Sequence, residues 1–444
     1  MYDAVYVEQL NKPAVALVNE NFMYDARSAA SSKGLPTVRV LASAVPCECI
    51  NEQIVEPIID SMMDDIIKGL TKPLSPQEES PEQPKVEETP RIIFKGNLQE
   101  INRFFYKRGW ADGLPIIPPT EEAVKEMLTG TDLPADHILG KIVPRRGKAT
   151  VEKVAINAVM AGALPTYMPV LIAGVEALLD PESFFHVWGV STGSWAPFWI
   201  FNGPIRKDLN INYSSGTLSP GNIANATIGR SMALIIKNIG GARPGIEDMG
   251  VLGNTGKYSM VMAENEEANP WGPLHVENGL HKDDSAVSLI FPNSSVPVFP
   301  GTDYDGLLNS MIHSVTRRGL TCIVLNPAHA KTLFENGWTK EEIITYITQF
   351  ARVPAYRNPS YHKAALIKIP KAYRVLNEME SSPVIENPAW IRIIVAGGPG
   401  NFIGIYAGGR WPGNEWVTKK VNLPANWGSL VKKYKDVVPN YAFY

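Results

Sequence analysis

The chain has 444 residues, 45% of them apolar and 20% charged, with a net charge of −3 and three cysteines. These values fit a globular protein of two or three domains and exclude a disulfide-stapled scaffold. They supply no field that would gather nucleic acid or anionic lipid. The longest apolar run, "MPVLIAGVEALL", carries a glutamate and is too short to span a bilayer. The N-terminus "MYDAVYVEQLNKP" lacks a basic region ahead of an apolar one, so no secretory signal is read there and a cytoplasmic location is expected.

Residues 1–71 alternate helix and strand. "YDAVYVEQL" reads as a helix and "PAVALV" as a buried strand. "NFMYDARSAASSKG" is an Ala-rich helix closed by Gly34, and "TVRVLA" is a second strand. "NEQIVEPIIDSMMDDIIKGL" is a long amphipathic helix with Pro57 in its first turns, where proline is tolerated. Two parallel strands cannot form a sheet covered on both faces. The segment is therefore expected to be an incomplete, Rossmann-like α/β half-domain completed by another polypeptide. "KPLSPQEESPEQPKVEETP" follows, rich in Pro and Glu, and reads as a solvated linker over 72–90.

The body, 91–444, mixes both element types. "NLQEINRFFYKRG" is amphipathic, and Thr120 caps "EEAVKEMLTG". "TVEKVAINAVMAG" and "MPVLIAGVEALLD" are apolar almost all round, as buried helices are. "APFWIFNG", "KYSMVMAE", "SAVSLIF", "TCIVLN" and "IRIIVAGG" read as strands, and "NPAHAKTLFENG" with "TKEEIITYITQFAR" as a helix pair. The expectation is a large α/β or α+β domain with no internal repeat.

Four stretches could carry chemistry. From Asn202 to Ser231, a glycine-rich loop leads into a helix starting near Asn222. Free N–H groups and the positive dipole end at such a start favour an anion, and the Arg230 fork can grip a carboxylate or phosphate. Asn202, Asn222, Asn225, Arg230 and Lys257 are the candidate substrate ligands; ordinary capping is the alternative. The second stretch, "AENEEANPWGPLHVENGLH", holds Glu264, Glu266, Glu267, His275 and Glu277. In an extended segment His275 and Glu277 would share a face, as two ligands for Zn, Fe or Mn or as an acid/base pair. A solvated polar turn is the alternative. The prolines should fold this stretch back so that His275 and Glu277 meet the strand-end carboxylates. The third, "VPCECIN", offers Cys47 and Cys49 as a weak redox pair, while Cys322 reads as a core residue. The fourth, "IIVAGGPGNFIGIYAGG", allows a tight turn and close backbone approach, with or without a ligand.

"KPAVALVNENFMYDARSAASSKGLPTVRV", with Glu8, Lys12-Pro13, Phe22, Ala26, Gly34 and Pro36 in order, resembles the C-terminal half of the UGSC-type (seleno)protein family. The layout is distantly similar to the selenoprotein B component of glycine reductase. The body, with "TVEKVAINAVMAGALP", "ANATIGR" and "PLHVENG", looks like the domain that accompanies UGSC segments in longer proteins. The resemblance implies a Cys/Sec-Gly-Ser-Cys motif just ahead of residue 1, on a companion chain, and hence a hetero-oligomer. The leading expectation is an enzyme that cleaves or reduces a C–X bond in a small anionic organic substrate with a thiol or selenol on that companion chain. A metal-dependent lyase or hydratase centred on His275 and Glu277, and a non-catalytic subunit that presents substrate, are the other readings.

Overall fold

The alternation in the first 71 residues forms helix α1 (Tyr2–Gln9), strand β1 (Val15–Asn19), helix α2 (Met23–Ser32), strand β2 (Arg39–Ser43) and helix α3 (Glu52–Thr71). A computed structural model gives this fold and describes residues 1–46, 51–79, 90–315, 319–354, 381–409 and 413–437. β1 and β2 pair in parallel, Val15 opposite Arg39, as a two-stranded sheet. Gly34 takes a positive φ of 79° just past α2, the left-handed conformation that a residue with a Cβ resists. α3 packs on this sheet yet has no buried residue; Ile54, Ile67 and Leu70 remain exposed, as does Leu17 of β1. Its amphipathic pattern thus marks an apolar face that the described residues leave uncovered.

The first part of the presumed linker is tied down. A short turn, α4 (Pro76–Glu79), brings Glu78 to Arg39, and the same guanidinium grips the carbonyls of Gly69, Lys72 and Pro73. Composition suggested solvated chain here; one arginine supplies five hydrogen bonds that order it.

The body begins with α5 (Leu98–Arg108), whose capping box joins Asn97 to Glu100 and whose end is Gly109 in the left-handed region. α6 (Glu121–Leu128) is capped by Thr120. A hairpin, β3 (Ile138–Ile142) and β4 (Gly147–Thr150), leads to α7 (Val151–Ala161) and α8 (Met168–Leu179), which are almost wholly buried. Then follow α9 (Phe185–Trp188), β5 (Phe198–Asn202), α10 (Ile205–Asp208), α11 (Ile223–Ile235), β6 (Val261–Ala263), α12 (Leu274–Glu277), β7 (Ala286–Ile290) and β8 (Pro292–Val298). The last third contains α13 (Tyr304–Ser314), β9 (Thr321–Leu325), α14 (Pro327–Glu335) and α15 (Lys340–Phe350). The pair β10 (Arg352–Pro354) and β11 (Ser381–Pro383) precedes β12 (Ile391–Val395), β13 (Ile403–Gly408), β14 (Val417–Lys420) and α16 (Trp427–Tyr434).

Two four-stranded mixed sheets organise these elements, in the orders β14-β7-β5-β6 and β8-β13-β9-β12. In the first, β5 and β6 are parallel, β7 is antiparallel to β5, and β14 is antiparallel to β7. In the second, β9 and β12 are parallel, β13 is antiparallel to β9, and β8 is antiparallel to β13. The sheets therefore have one topology, and one edge strand of each comes from the other half of the chain. β8 follows β7 but completes the second sheet; β14 follows β13 but completes the first. Asn202 and Asn326 stand at matching strand ends. No repeat was read in the sequence, because the equivalence lies in strand order rather than residue identity.

Side-chain alternation on β5 explains the layering. Trp199 and Phe201 enter the core shared with α7, α8 and α11, while Phe198 and Ile200 enter the core shared with β9, β12, β13 and helices α13–α15. The first sheet is thus buried on both faces. The carboxyl ends of its parallel pair abut those of the second sheet, where the Asn265 N–H donates to the Val395 carbonyl at 2.7 Å.

Candidate functional site

Glu264 extends β6 by one residue and is wholly buried. Three donors converge on its carboxylate: Asn202 Nδ2 at 2.6 Å, Asn269 Nδ2 at 2.7 Å and the Leu274 N–H at 2.9 Å. Burial pushes its pKa up. Glu266 accepts from the Gly203 N–H at 2.6 Å and from Asn202, and pairs with Arg206 at 3.0 Å. The buried Arg206 also grips Glu267, whose carboxyl falls to about 2: burial raises it, but the hydrogen bonds of Arg206 and Lys207 and the charge of Arg206 outweigh that. The prolines do fold the stretch back. His275 is fully buried, with Nδ1 3.9 Å from Glu266. That nitrogen and Asn202 Oδ1 are buried without a hydrogen-bond partner.

One geometric expectation fails. The segment carrying His275 and Glu277 is the helical turn α12, so residues two apart diverge. Glu277 instead meets Lys340, which also donates to the Gly272 carbonyl at 2.9 Å. The two are therefore not placed as a pair of ligands. Among the described residues, no group of three or more His, Cys, Asp or Glu side chains is gathered to hold a metal ion.

The anion site also changes. Arg230 is engaged by Asp112 through two hydrogen bonds of 2.8 and 2.9 Å, and it donates to the Pro115 carbonyl at 2.8 Å. Its fork is turned to α5's end rather than to a ligand. Asn222 caps α11 through the Asn225 N–H, and Asn225 spends its own amide on the carbonyls of Asn212, Thr217 and Val261. The loop's polar groups hold the loop. Cys47 and Cys49 lie outside the described residues. Cys322 is buried on β9 and its thiol is pushed up by burial, as suits a core residue.

Among the described residues, Lys257 is the one sequence candidate that lines a large opening. A cavity of about 950 Å³ lies between the end of α5, α9, the end of α11 and the loop 242–258. α11 ends in a π-helical turn, Ile236–Gly240, a distortion that often marks functional sites. Lys237 in that turn donates to the carbonyls of Gly109 and Ala111, and burial lowers its pKa. Phe185, Trp188, Trp195 and Phe291 supply aromatic wall, with the Trp188 and Trp195 rings 4.6 Å apart. The lining carries Lys107, Arg108, Lys237, Arg243 and Lys257 against Asp112 and Asp248. A smaller hollow of about 550 Å³ shares the loop Leu252–Thr255 with it. Sequence reading passed over these aromatics. The signal was available in "FFHVWGVSTGSWAPFW", the densest aromatic stretch of the chain.

The N-terminal segment comes within electrostatic range of residues at this cavity. Asp25, in the first turn of α2 just beyond the carboxyl end of β1, is half-buried and has one oxygen without a partner. Its pKa rises to about 6, through burial first and then the charge of Glu247, against the opposing charges of Arg145 and Arg243. Arg243 lines the cavity. Lys33 likewise lowers His186, next to Phe185, although burial is the larger cause there.

Residues 1–72 match the model of the UGSC family. The likeness to that family is thereby established for this segment; the body lies outside the match. No curated protein matches the chain, and no solved structure does. No helix among the described residues is long and apolar enough to cross a membrane.

Proposed function

We propose that the chain is a subunit of a heteromeric enzyme whose body holds a small anionic organic substrate in the 950 Å³ cavity, while a thiol or selenol on a companion chain attacks it. The companion carries a Cys/Sec-Gly-Ser-Cys motif and adds strands to the UGSC segment. The uncovered apolar surface of α3 and Leu17 gives it a place to dock. The observation that supports the reading is the position of Asp25: this residue of the UGSC segment lies within electrostatic reach of Arg243, which lines the cavity.

Chemically, a thiolate or selenolate displaces X from carbon, and X leaves with a proton. In a reductive outcome the second group of the motif closes a disulfide or selenenyl sulfide, and the substrate leaves with hydrogen in place of X. The body's share is to bind the anion and exclude water; Asp25 is placed to hold a proton near neutral pH.

Co-expression with a polypeptide carrying the motif tests this. A stable complex is expected, with turnover of organic anions that requires both chains and a reductant. A chain that stays monomeric beside every such polypeptide, or a complex whose turnover survives replacement of the motif's cysteines, would remove the reading.

A further inference from the structure

The charges around the cavity are not all equivalent. Lys257 is paired with Asp248, Arg243 with Glu247, and Asp112 with Arg230. Lys107, Arg108 and Lys237 form no ion pair among the described residues, and all three gather at the end of α5. Part of their placement answers the negative end of that helix. Lys237, however, has three N–H donors, and only two are used, on the carbonyls of Gly109 and Ala111. A cation that stays unpaired while the acids nearby are engaged calls for an anion from outside.

The rest of the wall sets the shape of that anion. Inorganic phosphate or acetate would fill little of about 950 Å³ and would leave the aromatic wall of Phe185, Trp188 and Trp195 unoccupied. Cavities of this size ordinarily bury most of a ring-containing ligand, with a few polar groups fixing its orientation. A flat π-system also gains from offset or edge contacts with such rings.

We infer that the cavity binds a flat, conjugated or aromatic carboxylate, its charged end on Lys237 and its ring against the Trp188–Trp195 wall. This rests on the reading of the cavity as the substrate site and names the class of that substrate.

Calorimetric titration of the full chain with 2-naphthoate tests it, with no thiol and no companion present. Saturable binding to one site is expected. 2-Naphthylmethanol, which lacks the charge, and acetate, which lacks the ring, should each bind at least about tenfold more weakly, the scale of one charged hydrogen bond. Lys237→Gln should weaken naphthoate by about the same factor and Lys237→Arg should restore it. If Lys237→Gln does not fold, the double replacement Lys107→Gln with Arg108→Gln serves instead: affinity should fall and lose salt dependence. Equal binding of naphthoate and the alcohol, no saturable binding, or unchanged affinity in the folded variants would overturn the inference. Because the titration needs neither thiol nor partner, its failure leaves the companion-chain reading to its own test.

Discussion

Glu264 shows how much a single side chain depends on residues remote in sequence. Two of its donors are fixed, the Leu274 N–H and the Asn269 amide, which cannot turn because its oxygen already accepts from the Trp271 and Gly272 N–H groups. Only an acceptor fits. Glu264→Gln, although nearly isosteric, should therefore cost about 1–3 kcal/mol by setting an amide N–H against a donor; urea unfolding measures this, and an unchanged midpoint would contradict the assignment. Arg230 gives a second case. Burial raises the Asp112 carboxyl, but the hydrogen bonds and charge of Arg230 outweigh it and hold the pKa below its usual value. Asp112 thus adds stability that is complete above the ordinary carboxylate pKa and is lost as pH falls through the lowered one. Arg230→Ala should destabilise by about 3 kcal/mol at pH 7, since it strands a largely buried carboxylate, and should flatten that acid limb. The sequence marked both residues as chemically loaded. It could not say which partner each would take, because Asp112 lies 118 residues from Arg230 and Asn202 lies 62 from Glu264.

Elements were legible where local chemistry sets them. Capping at Asn97, Thr120 and Asn222, the apolar composition of α7 and α8, and the β-branched run of β9 and β12 all point the same way as the fold. The exchanged edge strands were not. β8 carries two prolines and β14 is "VTKK", so neither reads as a strand by itself; their partners on the neighbouring sheet define them. The loop after β5 depends on one glycine. Gly203 has a φ of 82°, and a Cβ there would sit 2.0 Å from the Asp284 carbonyl oxygen. Gly203→Ala should displace the N–H that holds Glu266 and lower the melting temperature by several degrees, as a change of about 1–3 kcal/mol does. α3 has the opposite character. Its exposed Ile67 contributes little within the chain, so Ile67→Glu should leave stability within about 0.5 kcal/mol. The same change should abolish association with a companion chain, which sedimentation would report. Loss of stability in the isolated chain would mean that α3 already has its partner.

At the scale of the whole molecule, the UGSC segment and the body are coupled through charge. The cavity is assembled from residues 106–112, 185–197, 233–258 and 291, four stretches that no single motif spans, which is why only Lys257 was singled out in advance. Asp25 reaches that region from the UGSC segment, near Arg145, Arg243 and Glu247. Its folded pKa, raised to about 6, lies above the unfolded value. The folded arrangement therefore gains from the neutral acid. That contribution is fully present below the unfolded carboxyl pKa and is lost as pH rises through about 6. Docking of the UGSC segment on the body should accordingly loosen between pH 5 and 7, with faster amide exchange in residues 23–32 at the upper end. Asp25→Asn stays neutral throughout and should hold the slower exchange across the whole range. A wild-type chain whose exchange, corrected for the intrinsic pH effect, is flat from pH 5 to 7 would show that Asp25 does not couple the two parts. So would an Asp25→Asn variant that retains the wild-type slope.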